Sequence, residues 1–187
     1  NTLRNPVVEK ILNQMINEDA RVQLSVTYSK ASVLLEEPQI PDSKVEIKGL
    51  PDDALVIKVD KFPPPSAIFT GNRGECRRAD YVIFANDNGR KRALFIEMKR
   101  TKAPEHEIIE QFKGATCVIA YCKEIAKLFY GCRDLLNDYE FRYVSFGHTS
   151  IAKNKTRIER PASTHNRPDC MMKVHWPNNM QFNHLTG

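Results

Sequence analysis

Asn86-Asp87-Asn88-Gly89 constrains the fold of this chain more than any other stretch. Asn-Gly is a favoured pair for a two-residue type I′ turn, in which both central residues take positive φ. On either side lie apolar, β-rich runs, Ala79 to Ala85 and Arg92 to Lys99. The segment therefore reads as an antiparallel hairpin. With Asn88 and Gly89 as the loop, Asp87 pairs with Arg90 and Asp80 falls opposite Glu97. A four-residue loop would pair Ala85 with Arg90 and leave Asp80 diagonal to Glu97, still within shared reach. The neighbours of these two carboxylates in the strands are apolar: Tyr81, Val82, Ile83 and Phe84 on one, Leu94, Phe95, Ile96 and Met98 on the other.

Directly opposed residues have Cβ atoms about 4.5–5.5 Å apart, and like charges there are destabilising. Burying two unpaired carboxylates side by side costs too much for accidental packing. A divalent cation resolves the conflict. Mg²⁺ takes oxygen ligands and typically uses one or two carboxylates with waters and a substrate phosphate. Mn²⁺ suits the same donors. Asp80 and Glu97 are the expected metal ligands, with the backbone carbonyl of Met98 as a further one. Lys99 shares the face of Glu97, about 7 Å along the strand. There it is expected to orient or deprotonate a water, or to stabilise charge developing on a phosphate. The competing structural reading is a Glu97–Lys99 ion pair that merely closes the strand. Metal-assisted phosphodiester hydrolysis uses these parts.

Asp80 followed by Glu97-Met98-Lys99, on a hairpin with a helix after it, resembles the PD-(D/E)XK nuclease superfamily, which includes restriction endonucleases. The resemblance covers roughly residues 5 to 146. Arg78-Ala79 stand where the family usually has a proline before the aspartate. The resemblance implies an α/β fold, a restriction-endonuclease-like αβββαβ core with a mixed central sheet flanked by helices. It implies an acidic residue on the first helix, for which Glu9 is the candidate, and a glutamine on the helix after the hairpin, for which Gln111 is. The aromatic residue that one subgroup carries four positions later is replaced by Ala115.

The charge pattern points the same way. The chain carries 28 Lys+Arg against 23 Asp+Glu, a net charge of +5. Residues 71–102 alone hold nine basic and four acidic side chains, also +5. Excess positive charge beside a metal centre is the footprint of a phosphate-backbone substrate. Arg73, Arg77, Arg78, Arg100, Lys102 and Lys113 are the expected nucleic-acid contacts, and DNA is expected ahead of RNA. Arg90, Lys91 and Arg92 belong to the same run, and read alternatively as a charged edge.

The remaining pattern fills in the fold. Asn5-Pro6 starts a helix with the stripe Val8, Ile11, Leu12, Met15, ending near Asn17. Residues 22–28 read as a strand or the start of a loop. Residues 36–53, with Pro38, Pro41, Gly49 and Pro51, read as mostly loop. Residues 54–59 read as a strand, and Ala67 to Phe69 as another short one. A long helix is expected from Glu105 to Tyr130, its stripe including Ile108, Phe112, Ala115, Ile119, Cys122, Ile125, Ala126 and Phe129. Gly131 is its expected stop. Residues 139–146 read as a strand, with weaker strand signals at 156–158 and 171–176. Residues 1–150 are expected to form the core, and 151–187 a C-terminal extension packed on the same domain.

Composition excludes little else. The uncharged stretch from Gly114 to Cys122 is about half the roughly 18 residues a membrane helix needs. The five cysteines form no CxxC pair, so free thiols in a reducing compartment are expected. His165, Cys170, His175 and His184 fit no standard zinc spacing. The chain opens at Asn1 with no apolar leader, and a cytoplasmic location is expected. The function expected is a Mg²⁺-dependent nuclease, most simply a DNA endonuclease, working alone, as a homodimer or within a larger assembly. The alternative is a non-catalytic nucleic-acid-binding or assembly subunit with a nuclease-like fold.

Overall fold

A computed structural model carries the hairpin in its two-residue register. It describes residues 6–27, 30–37, 43–99, 103–147, 164–176 and 179–187, without the side chains of residues 6, 7 and 9. The elements are α1 (Pro6–Met15), β1 (Arg21–Val22), β2 (Ser25–Thr27), β3 (Lys30–Glu36), β4 (Lys44–Leu50) and β5 (Leu55–Lys58). After these come β6 (Tyr81–Asp87), β7 (Arg90–Lys99), α2 (Glu105–Phe129), β8 (Glu140–Gly147), β9 (Met172–His175), β10 (Asn179–Gln181) and α3 (Phe182–Thr186). β6 and β7 pair from Asp87↔Arg90 to Tyr81↔Ile96. Asn88 and Gly89 take φ of 52° and 89°, as the turn type requires. The Asn86 side-chain oxygen accepts the Gly89 N–H at 3.0 Å, closing the loop.

The expected mixed central sheet forms, and a second sheet packs against it. The larger runs β1-β5-β6-β7-β8-β9. Its β5, β6 and β7 are antiparallel, and β8 and β9 continue parallel to β7. The smaller runs β10-β4-β3-β2. Side-chain alternation along β6 and β7 sends residues to opposite faces. On one face Val82, Phe84, Ala93 and Phe95 pack with Val8 and Leu12 of α1 and with Ile108, Phe112, Ala115 and Ile119 of α2. On the other, Tyr81, Ile83, Leu94, Ile96 and Met98 pack with Ala31, Val33, Leu35, Val45 and Ile47 of the smaller sheet, and with Phe182 and Leu185 of α3. The central sheet is therefore covered by α1 and α2 on one face, and by a second sheet with the short α3 on the other. The near-continuous apolar runs of β6 and β7 are what a sheet buried on both faces demands.

The smaller sheet corrects the reading of residues 36–53 as loop. β4 alternates cleanly, with Val45 and Ile47 buried between part-exposed Glu46 and Lys48. The prolines and Gly49 that suggested loop fall outside or at the end of that strand. Ala67 to Phe69 form a turn instead of a strand, with the N–H groups of Ile68 and Phe69 both donating to the Pro65 carbonyl at 3.0 Å. Phe129, placed on the buried stripe of the long helix, is 79% exposed because the last turn of α2 runs past the sheet. The helix stops where expected: Tyr130 and Cys132 N–H both donate to the Ala126 carbonyl, around Gly131 at φ 68°. The strand signal at 156–158 lies outside the described residues.

α2 is held to the sheet by ring packing. Tyr143 stacks on Phe95 at 4.8 Å between centroids and meets Phe112 edge-on at 5.3 Å. Each such contact adds about 0.5–1.5 kcal/mol beyond simple burial. The loop entering β6 presses on the same helix. A Cβ built on Gly114 would lie 1.7 Å from the Arg77 carbonyl oxygen. Gly114→Ala is expected to destabilise the fold by at least about 1–3 kcal/mol, read as a fall in the thermal unfolding midpoint. An unchanged midpoint would refute this close approach.

Candidate active site

The site lies where four strands of the larger sheet end together. β5 ends at Lys58, β6 begins at Tyr81, β7 ends at Lys99 and β8 ends at Gly147. The ladder between β6 and β7 stops at Tyr81↔Ile96. One residue further on, Asp80 replaces the next backbone acceptor with its side chain: its Oδ2 accepts the Met98 N–H at 2.7 Å. Its own carbonyl accepts the Val59 N–H at 2.8 Å. Asp80 is thus fixed from both neighbouring strands. In an extended strand the N–H and C=O of one residue share an edge, so the Met98 carbonyl also faces the Asp80 side.

Glu97 is fully buried, at 0% exposure. Its Oε1 lies 2.8 Å from Lys99 Nζ, and its Oε2 has no hydrogen-bond partner. Burial pushes the Glu97 carboxyl up to about 8, with the Asp80 charge adding to it and the Lys99 ammonium opposing it. Burial likewise raises Asp80 to about 7, against the Met98 N–H and the Lys99 charge. Glu37 and Asp60 contribute further negative field at Asp80. On Lys99, burial works against the charged form, but the charge and hydrogen bond of Glu97 outweigh it, and the ammonium is held above its ordinary range. Near neutral pH the two carboxyls thus tend to retain protons, because one small desolvated pocket does not tolerate both charges.

The hairpin thus brings Asp80, Glu97, Lys99 and the Met98 backbone together. Other expected site residues lie elsewhere. Gln111 is half-buried on α2, and among the described residues no hydrogen bond joins it to either carboxylate. Glu9 falls within α1, with its side chain outside those described. Arg100 and Lys102 also lie outside the described residues. Arg77 is tied to α2 through Glu107 and Glu110, each at 3.3 Å. Arg78 donates to the Cys76 carbonyl at 2.8 Å. Arg73 and Lys113 are exposed and enter no ion pair among the described residues.

The basic run divides in two. Arg90, Lys91 and Arg92 sit towards the far end of the hairpin, about 17–23 Å from Glu97 at 3.3 Å per residue. There Lys91 pairs with Asp138, and Arg92 with Glu140 at 3.0 Å. These cations fasten the hairpin to β8 and its approach loop rather than surrounding the carboxylates. His165 is also accounted for: it is buried, with Nε2 2.7 Å from the Leu185 carbonyl.

Comparison with protein-family models, with curated proteins and with solved structures returns no match. No helix among the described residues is long and apolar enough to cross a membrane. Nor does any group of three or more His, Cys, Asp and Glu side chains among them close into a full cage for a metal ion.

The raised carboxyls carry a sign. Both have folded values above their ordinary values of 3.8 and 4.5. Between those values and about 8 the folded state binds more protons than the unfolded one, so stability falls as pH rises. Without added metal, the unfolding midpoint of the wild-type protein is expected to fall from pH 5 to pH 8 more steeply than that of an Asp80→Asn/Glu97→Gln double variant. Equal slopes would contradict this electrostatic description.

Proposed function

We propose that the chain is a divalent-metal-dependent nuclease that hydrolyses phosphodiester bonds in nucleic acid, with DNA the expected substrate. One observation carries the reading: fully buried Glu97, with an oxygen lacking any partner, sits beside a second carboxyl that also resists ionisation. Hard oxygen donors in that state fit Mg²⁺ or Mn²⁺. Two carboxylates and a backbone carbonyl, with waters and a substrate phosphate, complete such a shell without a protein cage. Element order supports a restriction-endonuclease-like core. α1 is followed by antiparallel β5, β6 and β7, then α2, then β8 parallel to β7, which is the αβββαβ sequence. β1 to β4 form an insertion between the first helix and that core.

Asp80 and Glu97 would hold the cation, with the Met98 carbonyl on the same edge. The bound ion supplies Lewis-acid polarisation of the phosphate and acidifies a ligated water. Lys99, already 2.8 Å from Glu97, is positioned to donate to that water or to a phosphate oxygen. Its raised proton affinity suits charge stabilisation better than general-base work. Arg73 and Lys113 are the exposed cations best placed to meet a phosphate backbone. Arg77 and Arg78 serve first to shape the loop that carries Asp80.

The test is incubation with circular and linear DNA and with RNA, in Mg²⁺ or in EDTA. Cleavage is expected in Mg²⁺ alone. Asp80→Ala, Glu97→Ala and Lys99→Ala are each expected to lower it by at least about 100-fold, with the fold retained. Undiminished Mg²⁺-dependent cleavage by Glu97→Ala would overturn the proposal. Nucleic-acid binding with neither cleavage nor metal uptake would favour the non-catalytic subunit.

A further inference from the structure

Glu37 lies outside the hairpin, yet it belongs to the same environment. It directly follows β3, on the smaller sheet. Its backbone N–H donates to the Ser43 carbonyl at 3.0 Å, which fixes the chain there. Its side chain is not similarly settled: Oε2 is buried and has no hydrogen-bond partner. Three described side chains carry buried oxygens in this condition, namely Glu37, Ser43 and Glu97. Two of the three are thus carboxylates, and the second sheet brings them towards one another.

Tyr81 makes the connection. It is adjacent to Asp80 and pairs with Ile96, which is adjacent to Glu97. Its hydroxyl donates to the Glu36 carbonyl at 2.5 Å and accepts the Glu36 N–H at 3.2 Å. A single tyrosine thus clamps both backbone groups of the residue before Glu37 to the strand that starts at the site. The clamp is buried, and burial pushes the Tyr81 hydroxyl up to about 12, so it stays a donor at any working pH. The negative field of Glu37 reaches Asp80, Glu97 and Lys99 alike. Asp60 also acts on Asp80, but it is exposed and is not among the leading influences on Glu97 or Lys99.

We propose that Glu37 is a third functional carboxylate of this centre, a positioning residue that accepts hydrogen bonds from the water shell of the cation held by Asp80 and Glu97. The inference rests on the cation-binding reading above. The described side chains form no three-membered cage, so the Glu37 carboxylate acts through water and not as a direct ligand. A partnerless buried oxygen is costly on its own, and ligated water supplies the donors it lacks. The insertion β1–β4 would then contribute to the chemistry as well as covering the sheet. Outer-shell partners of this kind typically change metal affinity by about 10- to 100-fold.

The test is Mn²⁺ binding by isothermal titration to the wild type, Glu37→Gln and Asp60→Asn, with apo unfolding midpoints measured in parallel. Glu37→Gln keeps the shape and removes the charge. It is expected to bind Mn²⁺ at least about 10-fold more weakly, with an apo midpoint equal to or above the wild type, since it relieves repulsion around Asp80. Asp60→Asn is expected to bind close to wild type. Wild-type affinity in Glu37→Gln would overturn the role of Glu37 while leaving the Asp80–Glu97 site standing. Weaker binding together with a lowered apo midpoint would assign Glu37 to the fold and overturn it as well. Failure of the wild type to bind Mn²⁺ at all would overturn the site itself, and with it the inference.

Discussion

Two carboxyl groups share one desolvated pocket, and much of the surrounding structure serves to keep them there. Left alone, Asp80 and Glu97 both resist ionisation because burial strips them of water, and the Asp80 charge adds to the effect at Glu97. A protein gains no stability from such an arrangement. The hairpin nevertheless fixes it firmly. The Asn88-Gly89 turn sets the register, the ladder ends one residue short of the pair, and the Met98 N–H takes the Asp80 oxygen. Lys99 pairs with one Glu97 oxygen, which leaves the other buried and partnerless. An unrelieved conflict held in place by rigid elements is a mark of a functional site.

The covering layers make that rigidity possible. On one side α2 lies flat on the sheet through Phe112 and Tyr143, and Gly114 lets the loop before β6 come into contact with it. On the other, the second sheet buries Tyr81, Ile96 and Met98, the residues that alternate with the two carboxylates. The same strand residues therefore do two jobs, split by parity: even positions such as Asp80 and odd ones such as Glu97 meet across the hairpin, while their neighbours anchor it to a second layer. Positive charge is divided along the same strands. The far end uses Lys91 and Arg92 to grip Asp138 and Glu140, while at the other end Lys99 pairs with Glu97.

Local, short-range features were the most legible in the sequence. The turn, both strands of the hairpin, the long helix with its Gly131 stop and the facing of Asp80 and Glu97 all follow from spacing over fewer than about 20 residues. The second sheet was not legible. Prolines and a glycine around β4 mimic a loop, and its partner strand β10 comes from the other end of the chain. Pairing between residues so far apart leaves no periodic trace in a single sequence. Glu37 was missed for the same reason, because only that sheet brings it to the site. The charge run from residue 71 to residue 102 looks like one patch in the sequence, which does not show that a hairpin sends its turn and its ends in opposite directions. Phe129 fits a helical stripe, but the sheet beneath it has already ended.

The central claim is that Asp80 and Glu97 form a cation site. Its most direct test is a crystal of the protein grown or soaked with Mn²⁺ and measured at a wavelength where manganese scatters anomalously. The account predicts an anomalous peak between the two carboxylates, at about 2.0–2.2 Å from their oxygens, that is absent from Glu97→Ala crystals. A map with no peak there, and with the Glu97–Lys99 ion pair unchanged at full Mn²⁺ loading, would contradict it.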